Sequence, residues 1–303
     1  MSALLFPGQG AQDIQMLEKL KDLPVFLARY EVVCQHINAD PLRELANNNR
    51  AFLNQNKVSS LLTVLVSSVA FDLYRDSQLS VPQWFAGYSV GQWTALYAAG
   101  CLDFNSLVEI VAARAEMMDQ AVAPDLVAMA SVIGLPSKHI NEITEQIRLM
   151  GEPIWISNFN APSQCTVAGS RVALTSFEKI VLALNPKKLV RLAVPGAWHC
   201  PLLTDAAARF ELMVRQLMLL NPQMPVIDNR TGSFLPAQRE ELNRTLSLHL
   251  SEPVLWETGI RNLIAQGCRE FVEIGFGTIL SRFGLFIDRR LQHQSFYDKL
   301  VTL

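Results

Sequence analysis

Residues Trp84–Gly91 have the sequence WFAGYSVG, and this stretch decides the fold. Trp84–Gly87 is a short apolar run of the kind that forms a buried strand, and residues Val90–Ala99 predict a helix. A G-x-S-x-G motif joins the two, and glycines on both sides of Ser89 permit a sharp turn in which backbones approach closely. The stretch predicts an α/β fold with the Ser89 hydroxyl exposed at a nucleophile elbow, although an ordinary glycine-bounded turn is the alternative at this stage.

The rest of the chain alternates strands and helices in two patterns. The flanking regions predict strands at Ala3–Phe6, Val226–Asn229 and Phe271–Ile274, a buried helix at Ser59–Tyr74, and helices at Phe104–Ala121 and Leu202–Leu220. The middle region predicts βαββαβ, the ferredoxin-like order, with strands at Val127–Ile133, Ile154–Asn158, Cys165–Ala168 and Leu189–Val194 and helices at Ser137–Leu149 and Arg171–Leu184. We therefore expect a large α/β domain from residues 1–125 and 196–303, into which a small domain of residues 126–195 is inserted.

The composition excludes several classes of protein. Half of the 303 residues are hydrophobic, which provides a large core and excludes a disordered chain. Lys and Arg number 26 against 28 Asp and Glu, and no basic block is present that would bind nucleic acid. The five cysteines form no CxxC pair, so they fit neither a disulfide framework nor a zinc site, and we expect no metal.

Neither a signal peptide nor a membrane span is predicted. Met1–Leu5 lacks the basic flank and the long apolar stretch of a signal peptide. The longest uncharged run, Val58–Phe71, is shorter than the ~20 residues of a membrane-spanning helix and is interrupted by serines, so it predicts a buried core helix. We expect a soluble, cytoplasmic protein.

A serine nucleophile requires a base, and His199 is the best placed of the five histidines. It lies in the segment Pro195–Pro201, between the last predicted strand of the small domain and a long helix, where a loop can aim a side chain into an interdomain cleft. A packed or helix-capping histidine is the alternative, and position alone does not decide between the two. The neighbouring Cys200 is predicted to be a small packing residue.

Arg114 lies on the apolar stripe of its predicted helix. Ile110, Val111, Met117 and Met118 stand three or four positions from it, which places all five residues on one helix face. A buried guanidinium keeps its charge and requires an anion. That anion is either a core carboxylate in a structural ion pair or a substrate carboxylate held by a bidentate clamp.

Gln9 stands between Gly8 and Gly10, directly after the first predicted strand. Ligand crevices form at the carboxyl ends of strands in open α/β sheets. The glycines do not complete a dinucleotide-binding pattern, so we expect Gln9 to supply an oxyanion or positioning hydrogen bond instead.

Together these segments resemble the malonyl-CoA:acyl-carrier-protein transacylase family over nearly the whole chain. Seven landmarks stand in the family's order, and the ordered set is far more specific than any single motif. They are Phe6–Gly10, Gly87–Gly91, Arg114, Asn160–Gln164 with Ala168–Gly169, Ala197–His199, His249–Val254 with Trp256, and Glu273–Gly277. The resemblance implies an α/β-hydrolase-like core with an inserted ferredoxin-like domain, and a ping-pong transfer of malonyl from malonyl-CoA to an acyl carrier protein without a metal or bound cofactor.

The resemblance also implies residue roles. Ser89 is expected to be the nucleophile, His199 its base, and Arg114 the ligand of the malonyl carboxylate. Further residues implied at the site are Gln9 and Val90 as oxyanion donors, His249 as the backbone carbonyl that orients the base, and Trp198, Asn160 and Gln164 as substrate contacts.

Two departures from the family pattern indicate a subtype. The family commonly has His before the nucleophile and Glu after the second elbow glycine, where this chain has Tyr88 and Gln92. With Tyr88, the motif Gly-Tyr-Ser-Val-Gly resembles that of the transacylase (epsilon) subunit of malonate decarboxylase. We therefore predict malonyl transfer to the phosphopantetheine-type arm of that system's carrier protein. The malonyl-CoA:acyl-carrier-protein transacylase of fatty-acid or polyketide synthesis is the alternative. A serine thioesterase or hydrolase and a non-catalytic carrier-binding protein stay open as members of other classes.

Overall fold

The computed structural model describes residues 1–77 and 81–301, in which nine strands form two sheets. In chain order the strands are β1 (Ser2–Phe6), β2 (Trp84–Gly87), β3 (Val127–Ile133), β4 (Ile154–Ala161), β5 (Gln164–Ser170), β6 (Lys188–Arg191), β7 (Val226–Ile227), β8 (Glu270–Glu273) and β9 (Gln292–Ser295). The larger sheet is parallel, in the order β7-β2-β1-β8-β9. The smaller sheet is antiparallel, in the order β4-β5-β3-β6.

Helices cover both faces of the parallel sheet. In the described part of the chain they are α1 (Pro24–Ile37), α2 (Pro41–Ala46), α3 (Arg50–Leu53), α4 (Asn56–Asp76), α5 (Gly91–Ala98), α6 (Phe104–Ala121), α7 (Ser137–Leu149), α8 (Arg171–Ala183), α9 (Thr204–Gln216), α10 (Arg239–Leu248), α11 (Trp256–Ala265) and α12 (Ile279–Ile287), with 3-10 turns at Pro201–Leu203 and Tyr297–Val301. Successive side chains of a strand point to opposite faces. Accordingly, Leu4 and Phe6 of β1 pack in one hydrophobic cluster and Ala3 and Leu5 in another.

The small sheet has the predicted ferredoxin-like order, β3-α7-β4-β5-α8-β6. Its two helices pack on one face, where Ile140 and Ile147 of α7 and Phe177 of α8 share a third buried cluster with Val167 of β5. The predicted fold class, an α/β core with a ferredoxin-like unit, is therefore confirmed. The domain boundaries at residues 125/126 and 195/196 stay a prediction.

Helix α4 is the buried core helix expected around Ser59–Tyr74. It is long and apolar enough to cross a membrane by composition, but 89% of its most apolar window is buried inside the fold. Its first turn lies beside the loop that follows β1, where Asn56 and Ser59 accept hydrogen bonds from the Gln9 side chain.

Among the differences from prediction, two elements end earlier than expected and one observed strand was not predicted. The helix expected over Leu202–Leu220 ends at Gln216, because Leu217 has an extended backbone and the Leu220 N–H donates to the Cys101 carbonyl oxygen at 2.8 Å instead of to a helical one. The strand expected over Leu189–Val194 ends at Arg191, and the chain then turns into the cleft. Strand β9, a polar edge strand, carries no apolar pattern from which it could be predicted.

Candidate active site

Ser89 lies at the tip of the turn between β2 and α5, in a left-handed conformation with φ of 52°. The two glycines of the motif allow the close backbone approach that this turn requires. A Cβ on Gly87 would lie 2.0 Å from the carbonyl oxygen of Gly91, and one on Gly91 would lie 2.2 Å from that of Phe6. The motif therefore forms the strand–turn–helix elbow predicted from the sequence.

The Ser89 hydroxyl contacts the imidazole of His199. Ser89 Oγ and His199 Nε2 are 2.7 Å apart, and His199 Nδ1 lies 2.7 Å from the backbone carbonyl oxygen of His249. A carbonyl oxygen only accepts hydrogen bonds, so Nδ1 carries the proton and Nε2 presents its lone pair to the Ser89 hydroxyl. The His199 backbone N–H also donates to the Leu250 carbonyl oxygen at 3.0 Å. Two bonds to the 249–250 segment thus orient the imidazole.

The environment keeps His199 neutral. Burial, reinforced by the positive charge of Arg114, lowers the pKa of His199 from 6.5 to about 3. A general base must be unprotonated to accept a proton, so this shift favours that role. The ring of His249 lies 4.8 Å from that of His199, centroid to centroid, and burial also holds the pKa of His249 well below its usual range.

Arg114 is fully buried beside the nucleophile and has no carboxylate partner among the described residues. Its Nη2 donates to Ser89 Oγ at 3.5 Å, whereas Nε and Nη1 have no hydrogen-bond partner within residues 1–77 and 81–301. Burial lowers the pKa of Arg114 to about 10, which still leaves the guanidinium charged at neutral pH. The predicted position on the buried face of α6 is confirmed. The structural ion pair finds no support, and the charge is available to an anionic ligand.

Two backbone N–H groups in the loops around Ser89 are available to an oxyanion. Over the residues that the structure describes, the N–H groups of Val90 and Gln9 donate to no other backbone or side-chain atom. The Gln9 side chain is engaged elsewhere, because its Nε2 donates to Asn56 Oδ1 at 2.9 Å and to Ser59 Oγ at 2.7 Å. Only the Gln9 backbone is left for the predicted oxyanion role, while the side chain ties the loop after β1 to α4.

Ser89 and His199 line a cleft of about 250 Å³ between the parallel sheet and the small sheet. Met129 and the segment Leu192–Val194 contribute the small-sheet wall. Trp198 also lines the cleft, and its buried indole Nε1 has no hydrogen-bond partner among the residues that the structure describes. Its role as a substrate contact stays a prediction. The small-sheet side of the cleft therefore includes the apolar side chains of Met129, Leu192 and Val194.

The structure places Asn160 and Gln164 outside the lining of this cleft. The Tyr88 hydroxyl donates to Asn160 Oδ1 at 2.7 Å, and Asn160 Nδ2 donates to Thr166 Oγ1 at 3.3 Å. Asn160 thus links the elbow to the small sheet. Gln164 lines a separate cavity of about 150 Å³ with Lys187. The roles of Asn160 and Gln164 as substrate contacts stay predictions.

No metal-binding constellation is present in residues 1–77 and 81–301, where no three His, Cys, Asp or Glu side chains are grouped as ligands. All five cysteines are free thiols. Burial raises the pKa of Cys200, the cysteine next to His199, to about 12. Its thiol is therefore no competing nucleophile.

Two side chains at the elbow were missed by the sequence analysis. Asn229 Oδ1 accepts the backbone N–H of Ser89 at 2.8 Å, and Gln92 Oε1 accepts from Asn229 Nδ2 at 2.5 Å. Asn229 is distant from Ser89 in sequence, so no local pattern points to it. In the sequence, Gln92 stands out only as a departure from a family pattern.

The chain is similar to known acyltransferases over almost its full length. Residues 3–284 match the family model of the acyl transferase domain. The malonyl CoA-acyl carrier protein transacylase of Bacillus subtilis is 28% identical over 299 residues, which cover 96% of this chain and 91% of that protein. A solved malonyl-CoA:acyl carrier protein transacylase from Xanthomonas oryzae has a TM-score of 0.91 at 26% identity, covering 97% of this chain and 93% of that one. A malonyl-transacylase solved in complex with its type II polyketide synthase acyl-carrier protein has a TM-score of 0.89 at 26% identity, covering 97% and 94%.

Proposed function

This chain belongs to the acyl transferase domain family, and we propose from that premise that it moves a malonyl group from malonyl-CoA, through an ester on Ser89, to the thiol of an acyl carrier protein. Two relatives that match nearly its whole length are named as malonyl transacylases, and a third, also a malonyl-transacylase, was solved together with its carrier protein. The substrates are then malonyl-CoA and the phosphopantetheine-type arm of the carrier. The chemistry requires no metal and no bound cofactor.

The observation that carries the malonyl assignment is the unpaired charge of Arg114. An isolated buried guanidinium is strongly unfavourable unless an anion meets it. The malonyl carboxylate provides that anion when the thioester carbonyl lies at Ser89, since Arg114 Nη2 is 3.5 Å from Ser89 Oγ. Nε and Nη1 have no partner among the described residues, so either of them, together with the second N–H of Nη2, can bind the two oxygens of one carboxylate.

The first half-reaction forms the acyl-enzyme. His199 Nε2 takes the proton of the Ser89 hydroxyl as Oγ attacks the thioester carbonyl carbon. The carbonyl oxygen becomes an oxyanion, which the backbone N–H groups of Gln9 and Val90 stabilise. Collapse of this intermediate breaks the carbon–sulfur bond, and the protonated His199 returns its proton to the departing CoA thiolate. A thiol has a pKa near 8.5, so it leaves readily and a single oriented histidine suffices.

The second half-reaction repeats these steps with a different thiol. His199 takes the proton of the carrier's thiol, whose sulfur attacks the carbonyl carbon of malonyl-Ser89. The same two N–H groups stabilise the oxyanion. The carbon–oxygen bond to Ser89 then breaks, and His199 returns the proton to Ser89 Oγ, which restores the free enzyme.

The comparisons favour a carrier of fatty-acid or polyketide synthesis over the carrier of malonate decarboxylase that we predicted from the sequence. One relative was solved with the acyl-carrier protein of a type II polyketide synthase, and the other two are named as malonyl-CoA:acyl carrier protein transacylases. Tyr88 and Gln92 are the observations that keep the malonate decarboxylase carrier as a second candidate. We expect faster malonyl transfer to a fatty-acid synthase carrier in a side-by-side rate comparison. A strong preference for the malonate decarboxylase carrier would reverse the choice of acceptor without affecting the transfer chemistry.

One labelling experiment separates transfer from the two other classes of function. The protein is mixed with malonyl-CoA labelled in the malonyl group and then chased with a carrier protein bearing its thiol arm. A transacylase retains the label until the carrier removes it, a hydrolase releases labelled malonate into water, and a non-catalytic carrier-binding protein acquires no label. We expect the first outcome, and either of the others would overturn the proposed function. Ser89→Ala is the control for non-specific labelling.

A further inference from the structure

The parallel ladder between β2 and β7 ends at Ala86, three residues before the nucleophile. Phe85 pairs with Val226 and Ala86 with Ile227, and continuing that register places Asn229 opposite Tyr88. The sequence predicted strand as far as Asn229, but the backbone leaves the ladder after Ile227. The Asn229 backbone N–H donates to Gln92 Oε1 at 3.1 Å, and its carbonyl oxygen accepts the Leu255 N–H at 2.6 Å.

The side chain of Asn229 occupies the place that its backbone has left. Its Oδ1 accepts the Ser89 N–H at 2.8 Å, and its Nδ2 donates to the Gly87 carbonyl oxygen. These are the two groups on either side of Tyr88, the pair that a facing backbone residue bonds in a parallel ladder. One side-chain amide therefore continues the sheet through the elbow.

This geometry explains why an asparagine stands at position 229. The position requires one acceptor toward Ser89 and one donor toward Gly87, and the residue is only 2% exposed, so water does not substitute. Gln92 Oε1 accepts from Asn229 Nδ2 at 2.5 Å as well as from the Asn229 backbone, which fixes the orientation of the amide.

We propose that Asn229 is a positioning residue for the nucleophile, and that Gln92 locks its amide in place. By bonding both sides of Tyr88, Asn229 holds Ser89 in its left-handed conformation and keeps Oγ within reach of His199 Nε2. It also occupies the Ser89 N–H, so the oxyanion must bind to Val90 and Gln9. This inference rests on the proposed role of Ser89 as the nucleophile.

The test compares Asn229→Ala with Asn243→Ala, a matched control that removes another buried asparagine whose Oδ1 has no partner. Two readouts report on Ser89: the rate of malonyl-enzyme formation and the rate of labelling by an alkyl fluorophosphonate, which needs no malonyl site. A third readout is the dissociation constant of malonyl-CoA in a Ser89→Ala background. We expect Asn229→Ala to slow both reactions about tenfold or more and to leave malonyl-CoA binding and the Asn243→Ala rates near the parent values.

The proposal is overturned if folded Asn229→Ala reacts at the parent rate, if malonyl-CoA binding weakens as much as the reaction slows, or if Asn243→Ala is equally slow. If Asn229→Ala does not fold, two variants of Gln92 test the proposal instead. Gln92→Glu keeps an oxygen acceptor for Asn229 and Gln92→Leu does not, so the Glu variant is expected to be labelled several times faster, and equal rates would contradict the lock. A parent protein that reacts with the fluorophosphonate but not with malonyl-CoA would defeat the proposed function and leave the role of Asn229 intact.

Discussion

Arg114 Nη2 lies 3.5 Å from Ser89 Oγ, so a buried positive charge adjoins the nucleophilic hydroxyl. Arg29, another largely buried arginine, shows what a structural role looks like, because its Nη2 lies 2.5 Å from Asp72 Oδ2. Breaking a buried pair is strongly destabilising, whereas removing an unpaired buried charge relieves a cost. We therefore expect loss of Arg29 to lower stability without changing substrate choice. Loss of Arg114 is expected to change substrate choice without lowering stability.

Replacing Arg114 is expected to change the preference between acyl groups. A hydrogen bond to a charged group contributes about 1.5–3 kcal/mol, so Arg114→Ala should lower kcat/KM for malonyl-CoA by about tenfold or more. Acetyl-CoA has no carboxylate to lose, and its kcat/KM should stay level or rise. Measurement of both constants gives the ratio directly.

Two variants provide the controls for Arg114→Ala. Arg114→Met keeps most of the side-chain volume without the charge, and its melting temperature should equal or exceed that of the parent. Arg29→Ala should lower the melting temperature and leave the malonyl-to-acetyl ratio unchanged. If Arg114→Ala and Arg114→Met lower both activities alike and melt earlier, Arg114 is structural.

The pH profile of acylation tests the environment of His199. Because burial and the charge of Arg114 lower its pKa to about 3, His199 stays neutral well below pH 6.5. We expect kcat/KM for malonyl-CoA to stay flat as the pH falls from about 8 to about 5, since this constant reports the free enzyme. A fall with a midpoint near the ordinary histidine value of about 6.5 would contradict this expectation.

Arg114→Ala provides an internal check on the same profile. The variant loses the second cause of the shift, so the pKa of His199 rises toward its ordinary value. With acetyl-CoA as the donor, its activity should therefore begin to fall at a higher pH than that of the parent protein. Identical acid limbs would mean that Arg114 does not act on the base.

Glu273 predicts a second pH effect, on stability. Burial raises the pKa of Glu273 from 4.5 to about 7, against the opposing effect of three hydrogen bonds from Leu280 and Ser281. Between these pH values the folded protein holds a proton that the unfolded chain has released, so folding loses stability as the pH rises through that window. The glutamine of Glu273→Gln cannot ionise, so this variant does not lose stability in the same way as the pH rises.

The melting temperatures of the parent and Glu273→Gln, followed from about pH 5 to about pH 8, measure the effect. The parent should lose stability relative to the variant as the pH rises. Glu270→Gln, which changes a partly exposed carboxylate on the same strand, should show no such trend. A difference that stays constant, or that grows in favour of the parent, would show that Glu273 is already ionised at low pH.

Local patterns predict the elements that carry the nucleophile and the arginine. Strand Trp84–Gly87 and helix Phe104–Ala121 have the predicted bounds, because an apolar run between turn residues and a helical apolar stripe are encoded in neighbouring residues. The stripe also identifies Arg114 as buried. Its lack of a partner depends on the whole fold and is visible only in the structure.

The hydrogen bonds that hold the nucleophile in place join residues that are distant in sequence, and the sequence did not predict them. Asn229 was assigned to a strand, whereas its side chain completes the ladder that its backbone leaves. The Gln9 amide was expected near the oxyanion, but Asn56 and Ser59 on α4 accept its hydrogen bonds. Contacts between residues so far apart in sequence produce no periodic pattern from which they could be predicted.

Malonyl-Ser89 is the intermediate on which the proposed transfer depends. Intact-protein mass spectrometry after brief mixing with malonyl-CoA should show the addition of one malonyl group, and peptide mapping should place it on Ser89. Ser89→Ala should show no addition, and a carrier thiol should remove the group from the parent protein. An unmodified parent protein, or a malonyl group that persists in Ser89→Ala, would contradict transfer through Ser89.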